Sequence, residues 1–279
     1  MTIATTRFRV FTLLIAILAA SHATAADRQK IRVLNVSLHP ILTLVGAALQ
    51  GNLRNRQDIV RCIGAGALAG LAFFEGKELA GNGHVRSGLA VANVAASLTR
   101  NVVSGRPSMA RIGMMLGPTR IEVSTQLDRD PSARVHVQVS LSDVVAMGVM
   151  RSRSDRFKWR DGLISLQKSR RYEADHRQFS GYTIGVFPGT TFHATPTTWH
   201  HETIHVIEAI QADAFEPPYC AWLSRCSNRT PTDFRFIRLE PLQLGLIPAI
   251  GGGALSLQDY TKRLTEIEAT RLAERMAPR

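Results

Sequence analysis

The sequence changes its periodicity at Gly117-Pro118, and this change limits the fold more than any other feature. Residues 31–118 are rich in Gly, Ala, Leu and Val, which is typical of several closely packed helices. Apolar and polar residues then alternate in 120–125 and 134–141, on either side of a turn cluster at 128–132. Such alternation indicates a β-hairpin. The pattern therefore predicts an α+β fold, with a Gly/Ala-rich helical first part and a small antiparallel sheet.

Two helical segments stand out before this boundary, 58–79 and 85–103. Gly66 and Gly70 stand four residues apart in the first, a spacing that lets helix backbones approach closely. The uncharged run between Arg61 and Glu75 has 13 residues, fewer than the roughly 20 that a spanning helix needs. The first segment is predicted to pack against a neighbouring helix, and contact of 58–103 with a membrane stays open.

The second part of the chain is predicted to contain one sheet and two helices. Residues 162–167 and 182–187 are predicted as a second strand pair, which extends the sheet over 118–190. A helix at 199–214, capped by Thr197 or Thr198, and a final helix at 257–276 follow. The predicted organisation is a helical region at 26–117 and a second domain at 118–279.

The first 25 residues have the pattern of a secretory signal peptide. Arg7 and Arg9 precede an apolar run at 10–20, and Ala23 and Ala25 supply the small residues of a cleavage site. Cleavage after Ala25 would place the mature protein in the periplasm or outside the cell. An uncleaved membrane anchor is the alternative.

The chain is strongly basic, with 34 Lys and Arg against 22 Asp and Glu and a net charge of +12. For an exported protein this favours peripheral contact with an anionic membrane or cell-wall surface. No aromatic ladder accompanies the basic cluster at 151–171, so nucleic acid is not predicted as a partner. Cys62 is expected to be a buried apolar residue, and a disulfide between Cys220 and Cys226 stays open.

The stretch His201-Glu202-Thr203-Ile204-His205 lies inside the helix predicted at 199–214. His201 and His205 are one turn apart, so both imidazoles project from one face and can bind one Zn²⁺. Glu202 lies about 100° around the helix from His201, where it can take a proton from a water that the metal activates. The pattern predicts His201 and His205 as metal ligands and Glu202 as the catalytic base.

This motif resembles the H-E-x-x-H zinc metallopeptidases of the zincin superfamily. The metzincin continuation needs Gly at 208 and His or Asp at 211, but Glu208 and Gln211 stand there, which excludes that class. Residues 265–274 are similar to the E-x-E-A-x-x-x-A helices of gluzincin-like peptidases. That resemblance, which covers about 25 of the 279 residues, implies Glu268 as third zinc ligand, with Glu266 as the alternative. The long interval between His205 and Glu268 departs from the thermolysin pattern.

The resemblance implies an exported zinc metallopeptidase with Zn²⁺ as cofactor and a polypeptide as substrate. It also implies an edge strand, here 182–187, that runs above the active helix and can pair with an extended peptide. His193 and Tyr260 are candidates for stabilising an oxyanion at the site, and Glu208 for supporting a ligand from behind. Two alternatives stay open: a non-catalytic zincin-like envelope protein that binds an anionic or protein partner, and a metal hydrolase of non-peptide substrates.

Overall fold

The computed structural model describes residues 28–125, 135–152, 154–168, 181–184, 187–190, 195–215, 237–238 and 264–273. The helices are α1 (Arg28–Gln50), α2 (Arg56–Gly81), α3 (Val85–Val103), α4 (Leu141–Ser152), α5 (Pro196–Asp213) and α6 (Leu264–Ala273). The strands are β1 (Arg111–Leu116), β2 (Thr119–Ser124), β3 (Val135–Ser140), β4 (Ser154–Arg160), β5 (Leu163–Lys168), β6 (Gly181–Ile184), β7 (Phe187–Thr190) and β8 (Ile237–Arg238). Helices and mainly antiparallel strands together confirm the predicted α+β class.

The strands form two four-stranded sheets, in the orders β1-β2-β3-β8 and β4-β5-β7-β6. The predicted hairpin is confirmed, because β2 pairs with β3 in antiparallel register. The structure has two sheets where the sequence predicted one, and each sheet adds one parallel pair, β3 with β8 and β5 with β7. The predicted pairing of 162–167 with 182–187 is also wrong. Residues 182–184 belong to β6 and Phe187 begins β7, and it is β7 that pairs with β5.

The elements that were not predicted include β1, α4, β4 and β8. Residues 111–116 form β1 instead of continuing the helical region, and residues 141–152 form α4 after β3. The Arg111–Leu116 strand has no polar and apolar alternation in its sequence, so its pairing with β2 shows only in the folded chain. At the start of α4, the Ser140 side chain accepts a hydrogen bond from the Asp143 backbone amide at 3.0 Å, so the helix begins directly where β3 ends.

The first three helices pack through their glycines. A Cβ placed on Gly66 would lie 2.6 Å from the Pro40 Cα, and one on Gly70 would lie 2.4 Å from the Asn35 carbonyl oxygen. Gly66 lies against Pro40, whereas the later Gly70 lies against the earlier Asn35, so the two helices are antiparallel. Gly76 and Gly88 form the corresponding close contact between α2 and α3. The small residues thus have the packing role that their spacing predicts.

The close packing of α1 on α2 predicts opposite effects for two glycines of α2. Gly70→Ala should destabilise the protein by roughly 1–3 kcal/mol, because its methyl group would overlap the α1 backbone. Gly64→Ala should be neutral or stabilising by up to about 1 kcal/mol, because no atom lies within 4 Å of its added Cβ. Urea unfolding of both variants measures their free energies of unfolding. Equal values would contradict the close packing of α1 on α2 at Gly70.

Helix α5, which carries His201 to His205, is fixed at both ends. At its start Thr195 is the N-cap, accepting a hydrogen bond from the Thr198 amide at 3.2 Å, with Pro196 in the first turn. This corrects the predicted caps Thr197 and Thr198. The buried Trp199 then donates to Asp161 at 3.1 Å. Asp161 belongs to the β4–β5 turn, where it and Gly162 both have positive φ, so the helix start is tied to the second sheet.

The end of α5 is held by a buried charge cluster. Asp213, which is fully buried, accepts hydrogen bonds from Arg120 of β2 at 2.6 Å and from Arg100 of α3 at 3.3 Å. Arg120 also donates to Glu122 at 2.8 Å. Burial alone would raise the pKa of Glu122, but Arg100, Arg120 and Arg111 outweigh it and lower that pKa to about 2. The cluster orients α5 relative to the first sheet and to α3.

One apolar core connects the helical region with α5 and α6. It runs from Ala47 and Phe73 to Trp199, Ile207 and Leu272. Cys62 is buried in it, as predicted. The segments 31–50 and 56–81 are long and apolar enough to cross a membrane by length and composition. The first of these is an apolar helix near the N-terminus, of a kind that signal sequences and membrane anchors share.

Several predictions fall on residues that the structure does not describe. These are the signal peptide and its cleavage site at Ala25, the cysteine pair, the candidates His193 and Tyr260, and the parts of the 257–276 helix outside α6. They stay predictions.

Candidate metal centre

The two histidines of the motif converge on one point. The Nε2 atoms of His201 and His205 are 3.1 Å apart, and their ring planes are nearly perpendicular, at 81°. Two nitrogens that bind one Zn²⁺ tetrahedrally at 2.0–2.1 Å would be separated by about 3.3–3.4 Å. Helical spacing on α5 thus brings the two nitrogens to almost the separation that a shared zinc ion requires.

Glu208 supports the second histidine. One turn after His205 on α5, its Oε2 lies 2.7 Å from the His205 Nδ1. A carboxylate in this position accepts the Nδ1 proton and leaves the Nε2 lone pair directed at the metal position. Histidines that bind metals commonly have such a carboxylate partner. This is the supporting position that the sequence suggested for Glu208.

Glu202 is buried and is held by the neighbouring strand. The Thr183 hydroxyl of β6 lies 2.6 Å from the Glu202 Oε2 and 3.1 Å from its carbonyl oxygen. Only 5% of Glu202 is exposed, so this contact is made in a low-dielectric environment where hydrogen bonds are strong. Within the described residues β6 is the outermost strand of its sheet. The strand expected above the active helix therefore touches the motif at Glu202.

Glu268 reaches the same region from α6, but its two oxygens have other partners. Lys77 of α2 donates to Oε2 at 3.0 Å, and the Asn35 side chain of α1 donates to Oε1 at 3.2 Å. Burial raises the pKa of Glu268; Lys77 opposes this rise, and Glu208 adds to it. Both oxygens of Glu268 thus already accept a hydrogen bond from another helix.

Lys77 is the residue of this region that sequence reasoning missed. Its side chain is 3% exposed, and its Nζ lies 3.0 Å from Glu268 and 3.9 Å from the other oxygen of Glu208. It thus connects the carboxylate behind His205 with the carboxylate of α6. No pattern near the motif indicates it, because Lys77 and Glu268 are 191 positions apart in the chain. A lysine within an otherwise mostly apolar helical segment is the sequence signal that could have identified Lys77.

Two further histidines are buried beside the motif. His39 of α1 packs on Phe73 and lies 3.3 Å from Gln211 of α5; burial and the Lys77 charge lower its pKa to about 3. His200 of α5 is 7% exposed, and burial, reinforced by Arg160, lowers its pKa. Both imidazoles are neutral at pH 7 and serve packing.

The residues fit a zinc ion in part. The converging Nε2 atoms, the Glu208 carboxylate and the adjacent Glu202 match the donor chemistry of a catalytic zinc site. Such a site needs a third protein ligand, and no three His, Cys, Asp or Glu residues of the described ranges are grouped closely enough to hold a metal. Asp213, another carboxylate of α5, pairs with Arg100 and Arg120 instead. Glu268 and Glu266 on α6 remain the candidates for the third ligand.

Comparison with known proteins adds no further assignment: no family model matches the chain, and no curated protein or solved structure is detectably similar to it.

Proposed function

We propose that this chain is an exported zinc-dependent metallopeptidase. The observation that carries the proposal is the 3.1 Å separation of the two Nε2 atoms, with Glu208 behind one histidine and Glu202 beside the other. His201 and His205 would hold the ion, with Glu268 or Glu266 as third ligand. When bound, zinc would polarise a substrate carbonyl and acidify a water molecule.

The protein's own groups would then do the following. Glu202 takes a proton from the attacking water and delivers it to the leaving nitrogen, which is general base and general acid work for one carboxylate. Thr183 holds that carboxylate by its hydroxyl group and so limits its rotation. Glu208 keeps the proton of His205 on Nδ1.

A polypeptide is the substrate that this geometry favours. Strand β6 lies at the edge of its sheet in the described part of the chain and contacts Glu202 through Thr183. An extended peptide that adds to this edge would bring its backbone carbonyls past Glu202. A non-peptide substrate would gain nothing from a strand in this position.

The direct test is metal analysis of the purified protein and of His205→Ala. We expect one zinc per wild-type chain, and a loss of affinity of more than roughly 100-fold in the variant. Substituting a residue that only hydrogen-bonds a metal ligand already costs 10–100-fold in metal affinity, so loss of the ligand itself should cost more. His84→Ala is the matched control, because His84 is exposed and far along the chain from the motif.

The results of these assays distinguish the peptidase from the non-catalytic envelope protein. A wild-type protein without stoichiometric zinc, or a His205→Ala variant that binds zinc as His84→Ala does, would contradict the proposal. Zinc binding without hydrolysis of any peptide in a library would favour the non-catalytic envelope protein instead.

A further inference from the structure

The antiparallel pair α1 and α2 has a surface rich in exposed apolar side chains, which we call the outer face. Val33 is 54% exposed, Val60 61% and Leu68 58%. The exposed large apolar residues of these two helices are Val33, Ile41, Ile59, Val60, Ile63 and Leu68. Gly66 and Gly70 bring the two helices into backbone contact, so these exposed residues lie on directly neighbouring helices.

The outer face is nearly free of charge along its length. No Asp, Glu, Lys or Arg occurs from Val33 to Gln50, and at one end of the face Arg32 pairs with Glu75 at 3.6 Å. Exposed apolar surface of this kind marks a contact with a partner or a membrane. Only a third of the apolar stretch of α1 is buried inside the protein.

The packing of the other sides decides how a membrane could meet these helices. Helix α2 also packs against α3, α5 and α6, and this packing encloses buried charges such as Lys77 of α2 and Glu268 of α6. A bilayer could not surround α2 without meeting those elements. The outer face can therefore lie on a bilayer with both helices parallel to its surface, as amphipathic interfacial helices do.

The charges at the edge of the face complement an anionic bilayer. Arg54 and Arg56 are exposed at the turn between α1 and α2, beside the apolar residues Ile59 and Val60. Basic side chains beside an apolar helix face bind the headgroups of anionic lipids while the apolar residues enter the acyl boundary. The net charge of +12 acts in the same direction.

We propose that the outer face of α1 and α2 docks this protein on anionic phospholipid bilayers. The apolar side chains supply the insertion, and Arg54 and Arg56 supply the attraction to headgroups. The proposal does not depend on zinc or on peptidase activity.

Vesicle co-sedimentation of the full, purified protein tests this. We expect binding to vesicles of mixed phosphatidylglycerol and phosphatidylcholine, and much weaker binding to phosphatidylcholine alone. Val60→Ser/Leu68→Ser should reduce binding by roughly tenfold or more. Arg54→Gln/Arg56→Gln should reduce it by a similar factor on the anionic vesicles only.

The matched control is Val135→Ser/Val145→Ser, which removes two exposed valines from β3 and α4. All variants keep the same N-terminus, so an effect of the apolar run at 10–20 cancels. Thermal unfolding checks that each variant is folded. If the outer-face pair fails to fold, the arginine pair still decides, because both arginines are exposed.

Three results would overturn the proposal. One is the absence of vesicle binding. Another is equal loss of binding in the outer-face pair and the control pair. The third is a wild-type dimer in light scattering that Val60→Ser/Leu68→Ser converts to a monomer without a change in vesicle binding, which would assign the face to a second copy of this chain.

Discussion

Glu202→Gln should reduce peptide hydrolysis by at least about 100-fold while zinc stays bound at the wild-type stoichiometry. The amide keeps the size of the side chain and can still contact Thr183, but it cannot accept a proton from water. General base catalysis typically contributes 10²–10⁴-fold, so the loss should lie in this range. Turnover of a peptide library, together with metal analysis of the same preparation, measures both quantities.

Glu75→Gln is the control for this variant, since Glu75 is half-exposed and pairs with Arg32 at the surface. It should retain both zinc and activity. A Glu202→Gln protein that loses its zinc or its fold would show that Glu202 is structural, and one with wild-type turnover would remove it from the mechanism.

Glu268→Gln should weaken zinc binding by at least roughly tenfold. If Glu268 is the third ligand, the variant removes a donor atom. If it is not, the variant still removes the anion that holds Lys77, whose charge then lies 3.9 Å from Glu208 without its nearer partner. Either change should weaken zinc binding. Loss of a residue that supports a metal ligand costs 10–100-fold in metal affinity. Competition with a zinc chelator gives the affinity.

Glu266→Gln identifies the ligand. Positions 266 and 268 are about 200° apart around the axis of α6, so they lie on different sides of that helix. If Glu268 binds the metal, Glu266→Gln should keep the wild-type affinity. If Glu266 does, its variant should lose more affinity than Glu268→Gln. Unchanged affinity in both variants would exclude α6 as the source of the third ligand.

The elements that local sequence specifies were predicted well. Helix α3 was predicted at 85–103 and observed as Val85–Val103, and the β2–β3 hairpin follows from period-two alternation on either side of a turn. The helix of the motif was found with only its cap misplaced, because Pro196 at its first turn makes Thr195 the N-cap. In these cases the signals lie within a few residues of one another.

Elements that are defined by the strand they pair with, and not by their own periodicity, were missed. Strand β1 has no alternation of its own and is defined by its pairing with β2. The parallel pairing of β5 with β7, in place of the expected neighbour, involves contacts across a long stretch of chain. Periodicity reports which side of an element is apolar, and it does not report which element covers that side.

The same division holds at the candidate site. The sequence by itself determined that His201 and His205 share a helix face, because helical spacing alone brings residues four apart together. Only the tertiary structure decided that Thr183 holds Glu202, and that Lys77 lies between Glu208 and Glu268. Those contacts join helices and strands far apart in the chain, and their geometry follows from how α2, α5, α6 and β6 pack, which local sequence does not encode.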